Sequence, residues 1–248
     1  KDAEELNLLK IDALGLRTLS VLQDVLDQIG WDRDSLINFP LEDEKSFEVL
    51  NSGRYAGIFQ FEGYALQSVT HQMKVHSFED IAAITALARP GPLNSGGTTE
   101  YIKRHTGEAP VEYLHPLTEK ITKVTNGVVV YQEQVMTIAR DVGKLSWEDV
   151  STLRKAMSKS YGKEYFDTFW ERFKIGAAEN GIKDDQAQRI WDNINTMGSW
   201  AFNRSHAIAY GMVSYWCCVL KSRYPLEFAA ACLRNVKDDD QGVRLLRE

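Results

Sequence analysis

The run from Ser199 to Tyr210 reads Ser-Trp-Ala-Phe-Asn-Arg-Ser-His-Ala-Ile-Ala-Tyr, and it gathers amide, guanidinium, hydroxyl, imidazole and phenol groups at a helix start. Such a set suits the holding of a nucleotide. Asn203 or Ser205 is placed to cap the helix that the apolar run from Ala207 onward predicts, and the free amides of that end, with the Arg204 charge, would attract an anion. No Asp or Glu occurs between Asn193 and Leu226, although the whole chain carries a formal charge of -6. A cationic stretch on an acidic protein points to a phosphate-bearing partner. The same residues also fit a plainer account, in which Asn203 and Ser205 cap a buried helix and His206 is a core histidine.

A second cluster runs Leu153-Arg-Lys-Ala-Met-Ser-Lys159 and continues to Lys163, with four basic residues and no acid from Arg154 to Lys163. Helical spacing puts Arg154 with Ser158 on one face and Lys155 with Lys159 on another. A helix end so charged can clamp a triphosphate or follow a nucleic-acid backbone through counterion release; a solvated face is the alternative. Asp12 ends the short apolar run Leu6-Asn-Leu-Leu-Lys-Ile, where an edge carboxylate could reach a metal or could cap the following helix. Lys10 lies two residues back on the same strand face. Nucleotidyl transfer by two divalent metals needs further carboxylates, and no partner aspartate lies near Asp12 in the sequence. Tyr131-Gln-Glu-Gln-Val-Met136 could form a hydrogen-bonded network behind a site, or a capped helix sending Val135, Met136 and Ile138 into the core. Arg89-Pro-Gly-Pro92 is either a guanidinium aimed at phosphate or a stiff turn.

The elements that would position these groups are mostly helical. Apolar spacing predicts helices over 14–29, 42–51, 60–72, 81–88, 132–142, 146–157, 164–180, 184–196 and 207–224, and a last one from Pro225 to about 235. Ser77-Phe-Glu-Asp80 has capping-box spacing. Arg89 before Pro90 ends a helix, because proline disfavours α geometry in the residue it follows. Residues 31–40 read as a connector, 93–126 as a lobe of short helices and loops, 127–131 as a brief extended stretch, and the tail from Lys237 as polar and frayed.

With 248 residues, 44% hydrophobic and 26% charged, the chain has the make-up of an ordered globular protein. No apolar run approaches the roughly 20 residues of a membrane span, and the opening Lys-Asp-Ala-Glu-Glu is no signal peptide, so a cytoplasmic protein is expected. Three cysteines, two of them adjacent, do not form a disulfide framework, and no paired zinc-ligand spacing or Walker-type loop is present.

Six segments agree in order and spacing with one family: Leu9-Lys-Ile-Asp-Ala-Leu-Gly-Leu-Arg-Thr-Leu19, Phe59-Gln-Phe-Glu62, Ala88-Arg-Pro-Gly-Pro-Leu93, Tyr131-Gln-Glu-Gln-Val-Met136, Leu153-Arg-Lys-Ala-Met157 and Phe202-Asn-Arg-Ser-His-Ala207. Over nearly its whole length the chain resembles the alpha subunit of bacterial DNA polymerase III, a C-family replicative polymerase. The resemblance implies a mainly α fold, a multi-helix fingers domain with a short β-strand remnant of the palm at the N-terminus. Residues 1–35 would be the end of the palm and a connecting helix, and 36–248 the fingers. It implies a DNA-directed DNA polymerase, inactive as this fragment alone, that uses two Mg²⁺ ions when intact. Its partners would be dNTP, primer–template DNA, the sliding clamp and other replisome subunits. Asp12 would be the third palm aspartate, catalytic and metal-binding. Lys10, Arg154, Lys155, Lys159, Asn203, Arg204, His206 and Tyr210 would surround the nucleotide, His206 lying against the sugar and helping to exclude ribonucleotides. Where the family often reads Gly-Tyr-Gly-Phe-Asn-Lys-Ser-His, this chain has Gly198-Ser-Trp-Ala-Phe-Asn-Arg-Ser-His206. A non-catalytic helical module that binds nucleic acid or protein is the competing expectation.

Overall fold

The computed structural model describes residues 6, 8, 15–159, 161–236 and 239–247. Sixteen α-helices and one 3-10 turn make up the described part, so the mainly α expectation holds. The strand expected around Leu6–Asp12 falls largely outside the described residues. The only β pairing among them is an isolated parallel bridge between Tyr131 and Phe202.

The helices build two adjoining cores. The first opens with α1 (Arg17–Ile29), whose Val21, Leu22, Val25 and Leu26 are buried and recur at helical spacing. Gly30 ends it at φ 72°, a left-handed cap that glycine adopts without steric cost. The expected connector holds a short helix, α2 (Arg33–Ile37), because the Asp32 carboxylate accepts the Ser35 amide at 2.7 Å and starts a turn. Next come α3 (Glu44–Asn51) and α4 (Tyr64–Met73). α4 begins four residues later than its apolar spacing suggests, since Gln60 sits at φ 63° and cannot continue a right-handed helix. The Ser77/Asp80 capping box opens α5 (Phe78–Leu87), as its spacing predicts. Pro90 begins α6 (Pro90–Ser95), and α7 (Gly97–His105) follows.

Past α8 (Pro116–Thr122), the second core forms from α9 (Gln132–Asp141), α10 (Trp147–Lys159), α11 (Lys163–Asp167), α12 (Trp170–Glu179) and α13 (Asp184–Gly198). The single helix expected over 164–180 is broken at Thr168 and Phe169, where the chain turns so that Phe166, Phe169 and Phe173 all face inward. Phe173 and Trp191, both buried, meet with ring centroids 4.9 Å apart. Full burial of such a side chain stabilises by about 1.5–3 kcal/mol before cavity and strain terms are counted.

The chain then returns to the first core as α14 (Arg204–Arg223), the longest helix, packed mainly against α5 and α3. Cys217 and Cys218 lie in its buried face, and burial pushes the Cys217 thiol up to about 12, so it behaves as a small apolar group. α15 (Pro225–Arg234) and α16 (Asp239–Arg247) close the chain. Of the tail expected to fray, Asp239–Arg247 is helical, and Leu245 packs against the first core. Trp200, in the segment between α13 and α14, packs against both cores. No helix among the described residues is long and apolar enough to cross a membrane.

Candidate functional site

The N-terminus of α14 is built by a cap and by a carboxylate from the other core. Asn203 Oδ1 accepts the His206 amide at 2.8 Å and the Ser205 hydroxyl at 2.7 Å. Its Nδ2 donates to Glu133 Oε1 at 3.1 Å, while Glu133 Oε2 accepts the Arg204 amide at 2.9 Å. Glu133 is in the first turn of α9, so one side chain satisfies donors at the start of a helix in the neighbouring core. A carboxylate at this end also meets the positive pole of the helix dipole.

The Arg204 guanidinium donates to Glu79 Oε1 at 3.1 Å and lies over the Tyr131 ring, 5.7 Å from its centroid. The acid-free stretch 193–226 is thus not acid-free in space, and the expectation of an open cationic helix end is corrected. Glu79 from α5 and Glu133 from α9 supply the carboxylates that the local sequence lacks. Tyr131 is fully buried and its phenol pKa is raised, first by desolvation and then by Glu79.

His206 is exposed, which overturns the core-histidine account. Its ring stacks on Tyr210 at 4.0 Å and 24°, and Phe202 meets its edge at 5.3 Å. Phe59 backs Tyr210 at 5.5 Å, and the Phe59 carbonyl accepts the Ser214 hydroxyl at 2.8 Å, tying this loop to α14. On the far side the Arg89 guanidinium lies 4.2 Å from the Phe202 centroid and donates to the Trp200 carbonyl at 2.9 Å. Arg89 therefore braces the segment leading into α14 rather than reaching for an anion. The aromatic groups form a continuous ladder whose open rung is the imidazole.

The basic helix end is elsewhere. Arg154 and Lys155 are exposed on α10, while Leu153, Ala156 and Met157 beside them are buried in the second core. Lys159 is the last residue of α10. Beneath this end lies a cavity of about 230 Å³ lined by Ala156, Met157, Gly162, Phe166, Asn195, Thr196 and Ser199. It reaches the segment that leads to Asn203. The structure thus brings the cap Asn203 together with Arg204, His206 and Tyr210 at the start of α14 and sets Arg154 and Lys155 on a helix of the adjoining core. The two groups are linked through residues 199–203 and the Tyr131–Phe202 bridge, where Gln132 N donates to Phe202 O at 2.8 Å. Lys10 and Asp12 lie outside the described residues. Among the described residues no cluster of three or more His, Cys, Asp or Glu could hold a metal.

Glu79 was legible only as part of a capping-box segment, and Phe59, Trp200 and Glu133 stood inside the quoted segments without a role of their own. Gln134, two positions from Gln132, is the buried centre of the network expected there. Its Oε1 accepts the Val130 and Tyr131 amides at 2.8 and 2.9 Å, and its Nε2 donates to Thr125 Oγ1 at 2.7 Å.

The stacking surface around His206 follows Trp200, which packs on both cores, while the cationic end of α10 belongs to the second core. Residues 18–181 match the family described as the bacterial DNA polymerase III alpha subunit finger domain, and the chain belongs to that family. Similar curated proteins extend the match past Asn203. The DNA polymerase III subunit alpha of Aquifex aeolicus (strain VF5) is 40% identical, covering 99% of this chain and 21% of that protein. The subunit of the same name from Mycobacterium tuberculosis (strain ATCC 25618 / H37Rv) is 38% identical over 95% of this chain and 20% of its own length. That of Staphylococcus aureus (strain COL) is 40% identical over 95% of this chain and 22% of its own. The chain spans about a fifth of the length of the curated relatives it matches.

Proposed function

We propose that this chain is the fingers part of a replicative DNA-directed DNA polymerase and binds the incoming dNTP and the templating base for nucleotidyl transfer. The observation that carries this reading is the exposed His206 ring, stacked on Tyr210 at 4.0 Å at a capped helix start. A ring so held is a rigid wall for a sugar. Stacked and capped, it loses little further freedom when a ligand arrives.

In this reading Arg154, Lys155 and Lys159 attract the triphosphate, Tyr210 supports the imidazole, and Asn203 and Arg204 hold the helix start. Residues 1–35 belong to the end of the palm and 36–248 to the fingers. Asp12, with Lys10 two residues before it in the sequence, is the chain's contribution to a catalytic centre whose other carboxylates lie in the palm, where two Mg²⁺ ions would supply charge neutralisation. The described residues do not make a metal site of their own. Because the palm would supply the other carboxylates, this reading makes the fragment inactive in isolation. Primer–template DNA is the partner of the intact cytoplasmic enzyme, and the sliding clamp and other replisome subunits dock on regions outside this chain.

The test is His206→Ala in the intact polymerase, with single-nucleotide incorporation measured for a dNTP and its rNTP. Removing the wall should raise ribonucleotide use about tenfold, equivalent to ~1.4 kcal/mol of lost discrimination. Unchanged discrimination, with dNTP affinity intact, would leave the ring without a role in sugar selection.

A further inference from the structure

We infer that Glu133 is a positioning residue for sugar selection: its carboxylate sets the orientation of the Asn203 amide and so the place of the His206 ring. The inference rests on the proposed reading of His206 and goes beyond it, because Glu133 is on α9 of the second core and has no part in the sugar wall itself.

The geometry leaves little freedom. An asparagine cap works only with its oxygen toward the helix amides, yet the two ends of the side-chain amide have nearly the same shape. Here Oδ1 faces the His206 amide and the Ser205 hydroxyl, and Nδ2 needs an acceptor on the other side. Glu133 Oε1 is that acceptor at 3.1 Å. The second carboxylate oxygen takes the Arg204 amide at 2.9 Å, one residue further along the same turn. Both oxygens of Glu133 thus accept from donors that cannot reverse their role unless the cap breaks. A carboxylate meets this demand; a carboxamide, with one oxygen and one NH₂, does not.

The consequence reaches the site because the His206 amide is the capped group. Its ring is held by this backbone position and by Tyr210 one turn later. Glu133 also spans the junction between the cores, so it fixes the imidazole relative to the helix that bears Arg154 and Lys155.

The experiment is a polarity swap in the intact polymerase, read as KM and kcat for dNTP and as the dNTP/rNTP selectivity ratio. Glu133→Gln sets an NH₂ against either Asn203 Nδ2 or the Arg204 amide. It should lower selectivity about tenfold and raise KM for dNTP with kcat little changed, the scale of one lost charge-assisted hydrogen bond. Asn203→Asp alone places a second carboxylate against Glu133 and should be at least as harmful. Combining E133Q with N203D restores every donor–acceptor pair, since the introduced amide now donates to the introduced carboxylate and its oxygen still accepts from Arg204. The double variant should recover most of the selectivity, which a merely unstable protein would not do. Selectivity unchanged in E133Q while H206A lowers it would overturn the inference and leave the sugar wall standing. E133Q and N203D losses that simply add, without recovery, would overturn it too. Unchanged selectivity in H206A would overturn the underlying reading and this inference with it.

Discussion

Gly97 and Gly211 are both helical glycines, and the same substitution should move stability in opposite directions at the two positions. Gly97 opens α7 against the Trp200 indole. A Cβ there would lie 2.6 Å from Trp200 Cζ2 and 2.9 Å from Cη2. The indole is rigid and wedged between both cores. Relieving the contact means opening it from 2.6 Å toward the ordinary 3.4 Å, a movement of about 0.8 Å that overpacks one core or the other. Overpacking of this kind costs about 1–3 kcal/mol, while alanine recovers at most about 1 kcal/mol of helix propensity. An approach as close as 2.6 Å puts that cost at about 2–3 kcal/mol, so even after the full propensity gain a net loss of about 1–2 kcal/mol follows for Gly97→Ala, or a fall in Tm of about 2–8 °C for a chain of this length. At Gly211, inside α14, the nearest atoms to a Cβ are Ile81 Cγ2 at 3.5 Å and Ala82 Cα at 3.6 Å, which is ordinary contact. Gly211→Ala should therefore keep or raise Tm, by up to about 1 kcal/mol in stability. The assay is thermal unfolding of the isolated chain by far-ultraviolet circular dichroism, with tryptophan fluorescence as a second probe. A Gly97→Ala variant as stable as the parent, or one no less stable than Gly211→Ala, would refute the reasoning. Because Trp200 stands three residues before Asn203, the Gly97 variant should also disturb the start of α14, seen as a shifted His206 resonance.

Acid should weaken the first core through Asp43. Its carboxylate accepts from Arg223 Nη2 at 2.7 Å and Nη1 at 3.0 Å, and from the Ser46 amide at 2.9 Å. These bonds, Arg223 first, hold the carboxyl below its ordinary range against the opposing effect of desolvation. A depressed folded value means that the stabilisation is complete above the unfolded carboxylate value of about 3.9 and is lost as pH falls through the folded one. Asp43→Asn should cost about 1.5–3 kcal/mol at neutral pH and flatten the acid limb of a Tm-against-pH curve; an unchanged acid limb would count against it. In the intact enzyme, Arg154→Ala should raise KM for dNTP, with each ~1.4 kcal/mol lost giving about tenfold in kcat/KM by steady-state incorporation; unchanged constants would return the α10 cations to solvent. Asp12→Asn should abolish incorporation while primer–template binding by fluorescence anisotropy stays near the parent value, and retained turnover would remove the metal-ligand assignment.

Much of the fold was legible because its causes are local. The Ser77/Asp80 capping box, the break before Pro90 and the apolar spacing of α1, α9 and α13 act within a turn or two of backbone. The misreadings have local causes too, but ones that spacing does not display. Gln60 adopts a left-handed backbone, Thr168 and Phe169 interrupt a run of helical spacing so that three phenylalanines can point inward, and Asp239–Arg247 of the polar tail is helical, with Leu245 packed on the first core.

The candidate site divides along the same line. Residue types near Asn203 declared a capped helix start, and the six motifs in register declared the family, because both are properties of contiguous chain. Whether His206 faces solvent or core could not be decided there, since α14 is apolar on much of its circumference and its exposure depends on which helices cover it. Only the folded structure put Glu79 and Glu133 on Arg204, across 125 and 71 residues of sequence. Charge counted along the chain measures composition, whereas the field at a side chain falls with distance in space, and the fold sets that distance.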